Sequence, residues 1–161
     1  MRQAPKRLKT AMSTEDDGDA IQQKGRSVDL SAEGLQKQVR KGRLRIRFAG
    51  LPVLPSIVGS LKGLTNLNLE SNQLRSLPPE ICHLTQLNHL VLRRNLFQDV
   101  PLCITQLPDL EFLDFHKNNV SVVCPELGGL ANLKHLDFTG NSINFLPPEL
   151  GSLTCTCFLS M

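Results

Sequence analysis

The sequence predicts an α/β-type repeat solenoid, with a parallel sheet on its concave side and irregular or short helical segments on its convex side. Two recurrences predict this fold class. Leucine recurs every 23 residues, at Leu61, Leu84, Leu107, Leu130 and Leu153. Asparagine recurs at the same interval, at Asn72, Asn95, Asn118 and Asn141. A fixed period of this length is typical of units that stack in line and share one core.

The composition fits a single folded domain. Of 161 residues, 40% are hydrophobic and 20% are charged, while aromatic residues make up 4%. The core must therefore be built mainly from aliphatic side chains. The longest uncharged stretch, Phe48 to Leu61, contains Pro52 and Pro55 and is too short to span a bilayer. Without an apolar run at the N-terminus we expect no secretory signal, reduced cysteines and a cytoplasmic location, with a nuclear one left open.

The N-terminal part divides into two segments. Residues 1–26 are predicted to be a disordered tail, and residues 27–60 an N-terminal cap followed by a degenerate first repeat. Val28, Leu30 and Leu35 fit the strand and turn positions of a coil. Ala49 stands where later coils have the recurring asparagine. Terminal repeats are expected to be atypical in this way.

Residues 61–152 contain four repeats of the pattern L-x-x-L-x-L-x-x-N-x-L, with other apolar residues at some leucine positions, which matches the leucine-rich-repeat signature. Apolar and polar residues alternate in Leu67-Asn68-Leu69, which predicts a short strand with one buried face. The amide of the recurring asparagine can donate to and accept from backbone groups, so we expect a structural ladder. The adjacent Pro78 and Pro79 oppose a strand and allow one short helical turn on the convex side.

Residues 153–161 are predicted to be a truncated fifth repeat. Continuing the period places Thr156, Leu159 and Met161 where Leu133, Leu136 and Phe138 stand one unit earlier. The favoured interpretation is a fragment or shortened isoform of a longer array. Self-association through the uncapped C-terminal edge and a marginally stable protein are the two alternatives.

The convex motifs indicate a family. The segments SLPPEI at 76–81, DVPLCI at 99–104 and FLPPEL at 145–150 resemble the 23-residue intracellular class of leucine-rich-repeat proteins. That class includes Ras-suppressor proteins and Ras-pathway and cell-polarity scaffolds. The resemblance implies a horseshoe segment that acts as a non-catalytic adaptor or scaffold in signal transduction. It also implies a protein partner, of the small-GTPase-pathway or phosphatase type.

The concave side of the predicted sheet is the candidate binding face. Strand residues that point away from the core form columns at the 23-residue spacing, graded from basic to acidic along the solenoid. Phe112 is expected to be a solvent-facing anchor beside arginine and histidine. Phe97, Phe115 and Phe138 are expected in the core. The predicted partner-binding residues are His89, Val91, Arg93, Arg94, Phe112, Asp114, His116, His135 and Asp137.

A basic segment supports an alternative function. Residues 1–50 hold 12 lysines and arginines against 6 acidic residues, whereas residues 51–161 hold 6 against 9. The cluster could bind nucleic acid or an anionic membrane electrostatically, although a solvated face is the simpler interpretation. Its residues are Lys37, Arg40, Lys41, Arg43, Arg45 and Arg47.

The sequence contains no recognisable catalytic motif. Phosphate-binding glycine loops, H-E-x-x-H and G-x-S-x-G are all absent. Asp114 and Asp137 fall on adjacent strands, but an open sheet offers them no pocket. His89 and His135 fall two strands apart, too far to share a metal ion directly. We therefore expect no enzyme activity, no cofactor, no metal and no small-molecule substrate.

Overall fold

The computed structural model describes residues 28–153 and 156–158. Its strands form a six-stranded parallel sheet in sequence order. The first five strands keep the 23-residue register, so that Leu44 lies opposite Leu67 and Leu90 opposite Leu113. The predicted repeat solenoid is confirmed. The strands are β1 (Arg43–Arg45), β2 (Asn66–Asn68), β3 (His89–Val91), β4 (Phe112–Asp114), β5 (His135–Asp137) and β6 (Thr156–Phe158).

The convex side carries one short 3₁₀ helix in each coil. Proline is the first residue of three of these helices, and the residue before each of those three is extended. Proline lacks the N–H that a strand needs, whereas its fixed φ suits a first helical position. The predicted short helical turns are therefore present, at Ser56–Ser60, Pro79–His83, Leu102–Gln106, Pro125–Gly129 and Pro148–Ser152.

One continuous core runs between the sheet and the 3₁₀ helices. The inward strand leucines are buried, as are the leucines and isoleucines of the turns. Phe97 and Phe115 are 0% exposed and Phe138 is 1% exposed, which confirms their predicted place in the core. Their rings contact one another in sequence, with centroid separations of 5.6 and 5.5 Å. Each coil thus shares its interior with the next.

The recurring asparagines form a ladder that joins the coils. Asn95 Nδ2 donates to Leu69 O at 3.0 Å and to Leu92 O at 2.9 Å, while its Oδ1 accepts from Leu74 N at 3.0 Å. Each asparagine therefore satisfies backbone groups of its own coil and of the preceding one. Asn72, Asn118 and Asn141 repeat the same three kinds of bond.

The first described segment differs from its expected strand-like pattern. Residues 28–30 form no strand; instead a helix, α1 (Ala32–Gln38), follows and buries Leu35 at the start of the core. Ser31 caps the helix by accepting from Gly34 N at 3.1 Å, and Asp29 Oδ1 accepts from Ser31 N at 3.0 Å. Serine and aspartate favour a helix start over a strand at this point because their oxygens bond nearby N–H groups. The predicted tail, residues 1–26, lies outside the described residues.

The last strand breaks the 23-residue register. β6 pairs Cys157 with Leu136, whereas the period predicted Leu159 opposite Leu136, so that prediction is wrong by two residues. In earlier coils a buried leucine such as Leu133 closes the turn before the strand, by donating its N–H to Leu130 O. Polar Thr156 holds that position in sequence. Leu159 and Met161 lie outside the described residues.

Candidate functional site

The concave face consists of three columns of side chains that run across the strands. The middle residue of each strand from β1 to β5 is a buried leucine, and its two neighbours point to the opposite side of the sheet. The ring column is Arg43, Asn66, His89, Phe112 and His135; the middle column is Arg45, Asn68, Val91, Asp114 and Asp137. The charged column lies two residues further on, at Arg47, Glu70, Arg93, His116 and Thr139.

Three rings are stacked in the ring column. His89 lies 4.0 Å from Phe112 between ring centroids, with the planes 10° apart, and His135 covers the other face at 4.2 Å and 2°. The half-buried Phe112 therefore presents an edge, and not a face, to solvent. Burial, followed by the charges of His135 and Arg43, lowers the pKa of His89. The sequence placed these rings together; their mutual stacking is visible only in three dimensions.

The charged column is an internal ion-pair network. Glu70, only 4% exposed, receives Arg47 Nη2 at 2.6 Å and Arg93 Nη2 at 3.0 Å on the same oxygen. Arg93 Nη1 also lies 3.9 Å from Asp114 Oδ2. Burial opposes the charge of Arg93, but the hydrogen bond and charge of Glu70 outweigh it and raise the pKa of Arg93. Arg93 was predicted to contact a partner; its Nη2 is paired with Glu70, while its side chain remains 41% exposed.

The middle column corrects two of the predicted partner contacts. Val91 and Asp114 were expected to face solvent, but they are only 7% and 6% exposed. Both residues lie in the middle column, between the ring column and the charged column. Burial raises the pKa of Asp114, although His116 N–H and Arg93 act in the opposite direction.

Acidic and amide side chains of the middle column also accept hydrogen bonds from backbone N–H groups. Asp114 Oδ1 accepts from His116 N at 2.8 Å, Asp137 Oδ1 from Thr139 N at 2.7 Å, and Asn68 Oδ1 from Glu70 N at 3.0 Å. Such bonds to an amide two residues ahead support the bend that ends each strand. Asp114 and Asp137 thus contribute to the fold as well as to the face.

Three exposed cations border the face. Arg43 on β1, and Arg94 and Lys117 beyond the charged column, are all exposed. Arg94 and Lys117 have φ values of 57° and 55°, in the left-handed region, because the chain bends there after the strand. The predicted contacts His116, His135 and Asp137 are half-buried.

The basic segment is divided between three settings. Lys37 lies in the last turn of α1, and the backbone of Arg40 bridges to Arg43 just before β1. Lys41 is exposed in that turn, and Arg45 is half-buried on β1. Arg47 is engaged with Glu70, and its guanidinium lies 5.3 Å from the centre of the Phe48 ring. Arg45 and Arg47 are therefore half-buried, whereas the other four side chains of the segment are exposed, namely Lys37, Arg40, Lys41 and Arg43.

Other kinds of site have little support in the part of the chain that the structure describes. No three His, Cys, Asp or Glu side chains come together there to hold a metal ion. A cleft of about 330 Å³ lies on the convex side near Ile57, Lys62 and Glu80, and none of the predicted contact residues line it. Within the same residues, no helix is long and apolar enough to cross a membrane.

Sequence reasoning missed Glu70 as a site residue. It is the acceptor that holds Arg47 and Arg93 in place, and it was not among the predicted contacts. A signal was available, since Arg47, Glu70 and Arg93 alternate in sign at the 23-residue interval and parallel strands bring such residues side by side.

Comparison with known proteins identifies the repeats. A family model described as a leucine-rich repeat region matches residues 27–145. No curated protein matches the chain.

Several solved structures are similar. A leucine-rich-repeat protein of Leptospira interrogans is 32% identical with a TM-score of 0.71, over 76% of this chain and 31% of its own. The ectodomain of the receptor kinase SOBIR1 from Arabidopsis thaliana is 30% identical with a TM-score of 0.59, over 71% of this chain and 66% of its own. The ectodomain of the Arabidopsis receptor kinase GASSHO1/SCHENGEN3, solved in complex with Casparian strip integrity factor 2, is 33% identical with a TM-score of 0.59. That match covers 66% of this chain and 13% of the receptor chain, so the chain spans only part of each of these proteins.

Proposed function

Because the chain belongs to the leucine-rich-repeat family, we propose that it is a non-catalytic interaction module that binds a protein partner on its concave face. Leucine-rich-repeat proteins are typically protein-interaction modules, and the solved GASSHO1/SCHENGEN3 ectodomain carries a bound factor. The finer proposal is an adaptor or scaffold in cytoplasmic signalling, with a partner from a small-GTPase or phosphatase pathway. Its support is the resemblance of the convex motifs to the intracellular 23-residue class.

One observation carries the proposal: the concave face holds ordered side chains that the fold itself does not require. The inward leucines build the core, but the stacked rings of His89, Phe112 and His135 are held on the opposite side of the sheet, half-buried and edge-on. A pre-organised aromatic ridge with arginines beside it has the composition of an interface centre. Rigid side chains also lose little entropy when a partner binds.

Site-specific photo-crosslinking tests the proposal. A photoreactive phenylalanine at Asn66, between Arg43 and the stacked rings, should form covalent adducts with other polypeptides in cells. The control position is Gln106, which is exposed at the end of a convex 3₁₀ helix. We expect polypeptide adducts from position 66 and few from position 106. Equal yields at the two positions, or none at 66 with the protein folded, would contradict binding on the concave face.

A further inference from the structure

We infer that the concave face recognises an acidic polypeptide segment, laid across the strands with its carboxylates against the exposed cations and the ring edges. This inference rests on the proposed function and specifies the chemistry of the partner. It comes from the accessible charge of the face, which differs from the charge that the sequence indicates.

The acidic groups of the face are mostly unavailable to a partner. Glu70 and Asp114 are 4% and 6% exposed, and both lie against Arg93. Asp137 is half-buried, with one oxygen accepting from Thr139 N. The sequence predicted a gradient from basic to acidic along the solenoid, but burial removes two of its acidic members from solvent contact. An approaching partner therefore meets less negative charge than the residue types suggest.

The cations at the same face remain accessible. Arg43 is exposed at the start of the ring column, and Arg94 and Lys117 are exposed along the opposite margin. One guanidinium therefore stands at the β1 end of the ring column, and two further cations stand across the face, beyond the charged column. Opposite charges across an interface steer association and set specificity, so an anionic partner is favoured here.

The stacked rings also favour carboxylates. Imidazoles cover both faces of Phe112, so a partner can approach only the ring edge. The edge of an aromatic ring is its electropositive part, because the quadrupole places negative charge on the faces. The imidazole N–H of His89 is a hydrogen-bond donor of the kind that a carboxylate accepts. Charge and ring geometry therefore point to the same class of ligand.

The same geometry argues against a phosphate polymer. Binding of single-stranded nucleic acid uses open aromatic faces on which bases stack, and both faces of Phe112 are occupied. A membrane presents an extended anionic surface, whereas the exposed cations here border a concave sheet. A peptide strand can follow that sheet: strands lie about 4.8 Å apart, so about six extended residues span from β1 to β5.

The test measures binding of labelled peptides by fluorescence anisotropy at about 150 mM salt, which screens long-range attraction. The probe is an alternating Glu-Ala peptide of about eight residues, with Gln-Ala and Lys-Ala peptides of equal length for comparison. We expect the full chain to bind Glu-Ala at least about tenfold more tightly than either of the others.

Charge-reversal variants locate the binding. Arg43→Glu with Arg94→Glu should weaken Glu-Ala binding by about tenfold or more, since two attractive charges become repulsive. The matched control is Lys62→Glu with Arg75→Glu, which makes the same change in net charge at exposed positions outside the three columns. We expect the control to lose no more than about threefold, as for other exposed charges. Circular dichroism and thermal midpoints establish that both variants are folded.

The outcomes separate the inference from the function on which it rests. If a thymidine oligonucleotide or phosphatidylserine vesicles bind at Arg43 and Arg94 while Glu-Ala does not, the acidic-peptide inference is overturned. If Glu-Ala fails to bind, or binds both double variants equally, while position 66 still crosslinks to polypeptides, the inference fails and the proposed function stands. If Glu-Ala does not bind and position 66 does not crosslink to polypeptides, the concave face is not a binding site.

Discussion

Removing two adjacent amides of the asparagine ladder should cost more stability than the sum of the single removals. The reason is that neighbouring asparagines share backbone acceptors. Leu92 O accepts from Asn95 Nδ2 at 2.9 Å and from Asn118 Nδ2 at 3.0 Å. Leu69 O accepts in the same way from Asn72 and Asn95. A single substitution therefore leaves each shared carbonyl with one donor.

The cost of a single removal follows from the bonds that it breaks. In Asn95→Ala the buried N–H of Leu74 loses the acceptor that lies 3.0 Å away, which costs about 1–3 kcal/mol. Leu69 O and Leu92 O each lose one of two donors, at about 0.5–1 kcal/mol apiece. We therefore expect Asn95→Ala to lower the free energy of unfolding by about 2–5 kcal/mol. Asn88→Ala is the control, because Asn88 is exposed, and it should stay within about 0.5 kcal/mol of the parent.

The double substitution Asn95→Ala/Asn118→Ala leaves Leu92 O with neither side-chain donor. This newly orphaned carbonyl should add about 1–2 kcal/mol beyond the sum of the single changes. The pair Asn72→Ala/Asn118→Ala is the comparison, because these residues lie two coils apart and share no acceptor. Their effects should add to within about 0.5 kcal/mol.

Urea denaturation followed by far-ultraviolet circular dichroism measures all of these values. Sucrose at one fixed concentration keeps the least stable variant folded at the start of the titration, and every variant is measured in it. If the adjacent pair is additive to within error, or the separated pair couples as strongly as the adjacent one, acceptor sharing has no energetic role and the reasoning is refuted.

Three further predictions follow from local contacts. Gly128→Ala should destabilise the protein by about 1–3 kcal/mol in thermal denaturation, because a Cβ there would collide with the carbonyl oxygen of Glu149. Its neighbour offers the control: a Cβ at Gly129 meets nothing within 4 Å, so Gly129→Ala should leave the midpoint unchanged or slightly raised. Burial lowers the pKa of His89 below its ordinary 6.5, so as pH falls below 6.5 the unfolded state binds a proton that the native state does not, and stability declines. His89→Gln should flatten that decline, and an unchanged slope would contradict this. Burial raises the pKa of the Cys103 thiol to about 11, so iodoacetamide near neutral pH should label it in urea but hardly at all in the native protein, as peptide mass spectrometry would show.

The predictable part of the candidate site is the set of residues that share a face. The three columns could be written from the sequence because the 23-residue interval and the alternation of strands fix which side chains become neighbours. Their exposure was not predictable in the same way. Val91 and Asp114 are buried although they stand at outward strand positions, and the alternation of the strand does not predict that burial.

The sequence by itself determined the architecture: the parallel sheet, the asparagine ladder and the core positions of Phe97, Phe115 and Phe138. These follow from a repeat that places each equivalent residue in an equivalent environment, so one argument serves every coil. Only the tertiary structure decided the face-to-face stacking of Phe112 between two imidazoles and the sharing of one Glu70 oxygen by Arg47 and Arg93. Those contacts join side chains of different coils, and their geometry depends on rotamers and local packing, which a periodic pattern does not encode.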